Sequence, residues 1–308
     1  MMRKFTIAIF ALALFCASNV LAQNQSAPTL RIVTEDPNLP SDLYYGNVRV
    51  KPLRLRPGTN QRITVDDADF FVQQQYIDFL GRFPDPSGFA FWTKQVTDCG
   101  NDINCIDRMR VNTSQSFFMS TEFQETGYYV YRFYRATLNR MPRYAELMAE
   151  KQRVAGGVVV LAPGWEQKLE ANKRAYADLW VTRADFAPFM QMTPETFADS
   201  LFANVGVTPN PNERLALVNE LKNGGSRAVV LRKILETEVV SKKEYNSAFV
   251  LMQYFGYLRR NPDDAPDGNM SGYNFWLKEV NGQGQGRLND YSNMVRAFVV
   301  AGEFRDRF

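Results

Sequence analysis

Two short strings hold many of the groups that could do chemistry: Arg82-Phe83-Pro84-Asp85 and Arg260-Asn261-Pro262-Asp263. Each sets an arginine three residues before an aspartate, across a proline. An arginine fork beside a carboxylate can grip a sugar or an acidic ligand. In the structural reading, the arginine pairs with a carboxylate or with turn carbonyls. The aspartate then caps the next helix, with proline at its first position in the first string. Capping accounts for the Asp-Pro step without any ligand, so the structural reading takes precedence. The second string opens an oxygen-rich loop with Asp263, Asp264, Asp267, Asn269 and Ser271 within nine residues. That donor set suits a hard cation such as calcium. It lacks the alternating aspartates and the closing glutamate of an EF-hand, and a solvated turn is the competing reading.

The sequence contains no histidine. This excludes Ser-His-Asp and Cys-His catalysis, the HExxH zinc site and histidine ligation of a metal or haem. Glycoside hydrolysis needs only two carboxylates, and Glu122, Glu125, Asp185 and Glu303 are available. Glu122 and Glu303, however, stand at matching places in an internal repeat, which favours helix-end pairing over catalysis. Trp92 and Trp276 also recur at matching places and are assigned to the core. Tyr44-Tyr45 and Tyr128-Tyr129 are the candidates for exposed aromatic pairs that stack on sugar rings or a protein partner. The run Gly282-Gln283-Gly284-Gln285-Gly286 follows no strand, so it reads as a loop rather than a phosphate cradle.

The elements positioning these groups follow from periodicity. From residue 69 the apolar spacing is helical: Phe71, Val72, Tyr76, Phe79 and Leu80 share a face, with Asp66 or Asp67 as cap. The helix must stop near Pro84, and Asp85 starts the next one. The string FVQQQYIDFLGRFPD at 71–85 recurs as FVLMQYFGYLRRNPD at 249–263. After a six-residue insertion, Ser87-Gly88 and Phe91-Trp92 match Ser271-Gly272 and Phe275-Trp276; Glu122-Phe123 then matches Glu303-Phe304. Two fainter copies lie between, beginning at Tyr129 and Phe197. The array divides near 69–127, 128–189, 194–245 and 246–308, each unit about three helices. The expected fold is all-α, four degenerate three-helix units packed in series, because stacked units bury faces that a lone unit cannot. Grouped in pairs, the units give helical regions 69–189 and 190–308. Residues 23–68 hold five prolines and short β-like runs, and read as an extended arm with a small hairpin.

The pattern carried by Phe71, Val72, Tyr76, Leu80, Arg82, Pro84, Asp85, Gly88 and Trp92, then Phe117, Ser120, Glu122 and Phe123, resembles the bacterial domain-of-unknown-function family 4214. The last unit repeats it through Arg260, Asp263, Trp276 and Glu303, with Ala301 in place of the serine. The resemblance covers 69–308 and implies an all-α fold in an exported or surface protein. It carries over no catalytic residue.

Residues 1–22 combine Arg3-Lys4, an apolar stretch from Phe5 to Ala17 and the small-residue site Val20-Leu21-Ala22, the plan of a signal peptide. Cleavage takes the 36 basic residues to 34, against 33 acidic ones. That near-neutral balance offers no footprint for nucleic acid. It also removes Cys16, leaving Cys99 and Cys105 as a pair expected to be disulfide-bonded in an oxidising compartment. No membrane span is expected after cleavage. The functional expectation is a non-catalytic scaffold or binding module of the cell envelope, engaging surface polysaccharide or protein. It needs no cofactor, unless calcium fills Asp263, Asp264, Asp267 and Asn269. The alternative is a carboxylate-dependent glycoside-active enzyme.

Overall fold

The computed structural model describes the backbone of residues 30–33, 42–45 and 48–50, and the chain from 54 to 308. Residues 1–22, expected to be a signal peptide, and the side chains of Tyr44-Tyr45 lie outside the described residues. Strands β1 (Leu30–Val33), β2 (Asp42–Tyr45) and β3 (Val48–Val50) form an antiparallel meander in the order β1-β2-β3, with Leu30 opposite Tyr45 and Leu43 opposite Val50. The arm thus carries one strand more than a hairpin.

The rest is helical. Helix α1 (Ala68–Gln75) runs into a wider π-helical turn, Tyr76–Leu80, closed by Gly81 at φ 71°. Then come α2 (Pro86–Thr97), α3 (Ile103–Met119), α4 (Thr121–Glu125) and α5 (Gly127–Leu138). Next are α6 (Tyr144–Ala155), α7 (Trp165–Trp180), the short α8 (Ala187–Met190), α9 (Pro194–Val205), α10 (Pro211–Lys222) and α11 (Arg227–Leu235). The chain ends with α12 (Glu238–Gln253), a second π-helical turn at Tyr254–Leu258, α13 (Ser271–Val280), α14 (Ser292–Val299) and α15 (Gly302–Arg305).

Local chemistry sets many of these starts. The Asp102 carboxylate accepts from the amides of Asn104 and Cys105, Ser120 from Phe123, Thr193 from Thr196, Asn210 from Asn212, and Ser226 from Ala228. Pro194 and Pro211 stand at first helical positions, where a missing N–H costs nothing. Asp67 does precede α1, but its side chain makes no cap bond to that helix. It accepts instead from the Thr64 amide at 2.7 Å and from Arg56 at 2.8 Å, tying the arm's end to the helical body.

Helix α5 is the axis of the body. All of its residues except Arg135 and Leu138 are buried, and it touches α6, α9, α11 and α12. Its apolar and aromatic side chains point all around, as a fully enclosed helix requires. This reverses the expectation for Tyr128-Tyr129: both are buried, with their hydroxyls donating to the carbonyls of Ser241 and Lys173. One hydrophobic cluster runs from Val65 to Phe304, across the boundary expected at 189/190.

Serial packing would keep the segments 69–127 and 246–308 apart, yet they meet. Phe79 packs edge-on to Tyr257 at 5.7 Å, and α3 lies against α14. Arg296 bonds Asp107 at 2.8 Å and Arg307 bonds Asp78 at 2.9 Å, while Arg305 bonds Asp66 just before the first segment. No helix among the described residues is long and apolar enough to cross a membrane.

Candidate functional site

Gly81 turns the chain so that Arg82 leaves the π-helical turn towards α4. Its Nε and Nη2 donate to the two oxygens of Glu122 at 2.6 and 2.8 Å. Its Nη1 donates to the Phe83 carbonyl at 3.1 Å and to Asp85 at 3.4 Å. The guanidinium lies over the ring of Tyr76, 5.1 Å from its centroid. Asp85 accepts from the Gly88 amide at 2.8 Å and from the Ser87 hydroxyl at 2.9 Å, so it caps α2 with Pro86 behind it. Burial pushes the Asp85 carboxyl up, but the Gly88 amide, Ser87 and Arg82 outweigh it and hold the group below the usual range.

Tyr76 lies beneath this clamp. It is 4% exposed, and its hydroxyl makes no hydrogen bond among the described residues. Burial, with help from the Asp85 charge, pushes that hydroxyl up to about 12. The ring is held edge-on to Phe117 at 4.7 Å, and the hydroxyl lies where a Cβ on Gly88 would come within 2.1 Å of it.

Tyr76, Arg82, Asp85, Trp92, Thr121 and Glu122 all line one cleft of about 480 Å3. The connection between α6 and α7 also lines it, through Val159, Val160, Leu161 and Ala162. A second cavity of about 590 Å3 adjoins it behind Arg82 and Phe83. Val158 anchors the connection in the core, whereas Leu161 is 89% exposed at φ 74°. A bulky apolar residue held in the left-handed region at a cleft mouth is costly and uncommon. Phe83 and Phe91 are also more than half exposed nearby in the chain. Trp92, assigned to the core from the repeat, is half-buried and packs against the core cluster. It lies against Phe91 and Phe117 and faces the cleft.

The last unit builds a related clamp with a different aspartate. Arg260 donates to Glu303 at 2.6 and 3.1 Å, to Asp267 at 2.8 Å, and to the carbonyls of Asn261 and Asp264 at 3.1 and 3.4 Å. Its guanidinium lies over Tyr254. Asp267, not Asp263, therefore takes the place beside the arginine that Asp85 holds in the first clamp. Asp263 faces away and accepts from Arg143 at 2.7 and 2.8 Å. It caps no helix: Met270 precedes α13, and Asn269 accepts from the Ser271 amide at 2.7 Å. The six inserted residues shift the register, so the cap predicted for Asp263 is displaced. Trp276 is half-buried like Trp92.

The same contacts dismantle the proposed calcium set. Asp263 and Asp264 pair with Arg143, Asp267 pairs with Arg260, and Asn269 bonds its own loop. Their oxygens are taken up by arginines and loop amides, and no cluster of three or more ligating acids or cysteines forms among the described residues. Calcium gains no support from this donor geometry.

Elsewhere, Cys99 and Cys105 are disulfide-bonded across the turn that leads into α3. Glu125 is held by Lys173 at 2.8 Å and Asp185 by Arg183 at 3.0 Å. The glycine run wraps the Glu279 carboxylate, which accepts from the amides of Gln285 and Gly286. The Tyr76 hydroxyl and the α6–α7 connection were not singled out from the sequence. The pairing of Tyr76 with Tyr254 and of Gly88 with Gly272 was the available signal. The arrangement suits reversible binding: a half-buried tryptophan, a phenol with no hydrogen bond among the described residues, and two carboxylates held by Arg82. Comparison with family models, curated proteins and solved structures finds no match.

Proposed function

We propose that this chain is a non-catalytic binding module exported to the bacterial cell envelope, where it engages surface polysaccharide or protein. The observation that supports it is the cleft beside Arg82. Trp92 and Tyr76 line it, and no hydrogen bond within the described residues occupies the Tyr76 hydroxyl, while its carboxylates are locked in a clamp. A general acid needs a carboxyl held above its usual range, and Asp85 is held below. Export rests on the leader-like residues 1–22, and membership of the family-4214 type rests on the motif and its second copy. The test places a photoactivatable residue at Leu161 and, as control, at Leu179, which is also exposed. Irradiation in the native envelope should capture envelope material from position 161 and not from 179. Turnover on a polysaccharide panel, abolished by Glu122→Gln, would replace this reading with the glycoside-active one.

A further inference from the structure

We infer that the cleft between α2, α3 and the α6–α7 connection takes a neutral saccharide, with Tyr76 as its polar anchor and Trp92 as its stacking face. This rests on the binding-module reading and names the ligand class. The first argument is the Tyr76 hydroxyl. It belongs to a side chain 96% buried, lies at the cleft wall and has no partner among the described residues. The ring is buried but the oxygen itself stays open to the cleft, so it is available to bond a ligand oxygen there.

The second argument is charge. Arg82 spends its Nε and Nη2 on Glu122 and its Nη1 on Asp85 and the Phe83 carbonyl. The cleft's one cation is therefore neutralised, and with two carboxylates beside it the lining carries a net negative charge. An anionic ligand would meet repulsion and find no free arginine. A sugar hydroxyl can donate to the remaining lone pairs of Asp85 and Glu122, which accept more than one bond each.

The third argument is the apolar wall. Trp92 and Leu161 both line the cleft, one aromatic and the other aliphatic and 89% exposed. A sugar ring has hydroxyls at its rim and C–H groups on its faces, so it matches both kinds of surface at once. The volume of about 480 Å3 lies within the range of small-ligand sites.

The experiment is calorimetric titration of the full chain with neutral glucan, mannan and chitin oligosaccharides. An oligogalacturonate and a lysine-rich peptide serve as the acidic and cationic probes. Neutral oligosaccharide binding is expected, weakened about tenfold in Tyr76→Phe, the loss of one hydrogen bond at a desolvated site. Trp92→Ala should weaken it further. Tyr76→Phe removes a hydroxyl without a protein partner, so its unfolding midpoint should not fall and a binding loss cannot be blamed on misfolding. Binding of only the acidic probe or the peptide, sensitive to Tyr76→Phe, would overturn the saccharide assignment and leave the binding module standing. No binding of any neutral probe, or binding indifferent to both variants, also overturns it. Hydrolysis of a bound oligosaccharide would instead overturn the non-catalytic reading.

Discussion

Arg82 and Arg260 make the same kind of clamp on glutamates at different depths, and the depth of the glutamate decides what each contributes. The Glu122 side chain is 6% exposed, so removing Arg82 would leave a nearly dry carboxylate without its counter-charge. Such losses cost about 3 kcal/mol or more. Glu303 is 36% exposed and water can replace its arginine, so the expected cost is about 1 kcal/mol. Urea unfolding of Arg82→Ala and Arg260→Ala checks the order; equal losses would contradict it. Gly88 allows a second residue-scale test. An alanine Cβ there would sit 2.1 Å from the Tyr76 hydroxyl, and the ring is pinned by Phe117 and Arg82. Overpacking of this kind costs about 1–3 kcal/mol. Gly88→Ala should therefore destabilise, and Tyr76→Phe in the same chain should recover part of the loss. Recovery is the specific sign, since a general helix-start defect would not respond to one oxygen.

At the scale of elements, the helix starts rest on short-range bonds and the loops on long-range ones. The α2–α3 turn is held twice, by the Asp102 cap and by the Cys99–Cys105 bond. A disulfide closing so short a loop restricts the unfolded chain modestly, worth about 2 kcal/mol in the chain-entropy treatment. The denaturation midpoint should fall on adding reductant. It should not respond to reductant in Cys99→Ser/Cys105→Ser. The loop before α13 is a different case. Its aspartates are held by Arg143 from the α5–α6 connection and by Arg260, so its shape depends on contacts far along the chain. Both π-helical turns end α1 and α12 at matching places, and each is followed by a residue in the left-handed region, Gly81 or Arg259. Such turns recur at functional sites, and in the first unit the turn carries Tyr76 and Leu80 to the cleft wall.

At the scale of the whole molecule, closure between the first and last segments centres on Asp78. This carboxylate is 2% exposed and accepts from Arg259 at 3.1 Å and Arg307 at 2.9 Å, while Arg307 also donates to the carbonyls of Gly256 and Tyr257. Asp78→Asn would leave two guanidiniums without their buried anion, a loss of about 3–5 kcal/mol, measurable by thermal or urea unfolding. The pH profile of stability has a matching global form. With no histidine, no side chain with an ordinary pKa changes charge between about pH 5 and 8, so a plateau is expected there. On the acid side, the Arg232 hydrogen bond lowers the Glu170 carboxyl from its usual 4.5 to about 2. A group lowered in the folded state contributes stability above its unfolded value, and that contribution is lost as pH falls from 4.5 towards 2. On the alkaline side, burial raises Tyr76 from 10.0 to about 12, so its contribution is full below pH 10 and lost as pH rises towards 12. A marked change in unfolding free energy between pH 5 and 8 would contradict this.

Read by itself, the sequence determined the helical class, the cap of α2 by Asp85 and the partnership of Cys99 with Cys105. Each depends on residues close in the chain, where periodicity, proline position and loop length are sufficient physics. It also marked Tyr76, Gly88, Trp92, Arg82 and Glu122 through their second copy, without showing that they meet around one cleft. Tertiary structure decided the rest. Tyr128 and Tyr129 are buried because α5 is surrounded on all sides, and an enclosed helix has no polar face to mark its interior. Asp263 turned to Arg143 and Asp267 took its place beside Arg260, because an insertion changes which carboxylate reaches an arginine while leaving the surrounding pattern intact. Trp92 packs against the core and also lines the cleft, because the α6–α7 connection, some seventy residues later in the chain, lines the same cleft. Contacts between residues distant in sequence carry no local period, so only the folded chain brings them together.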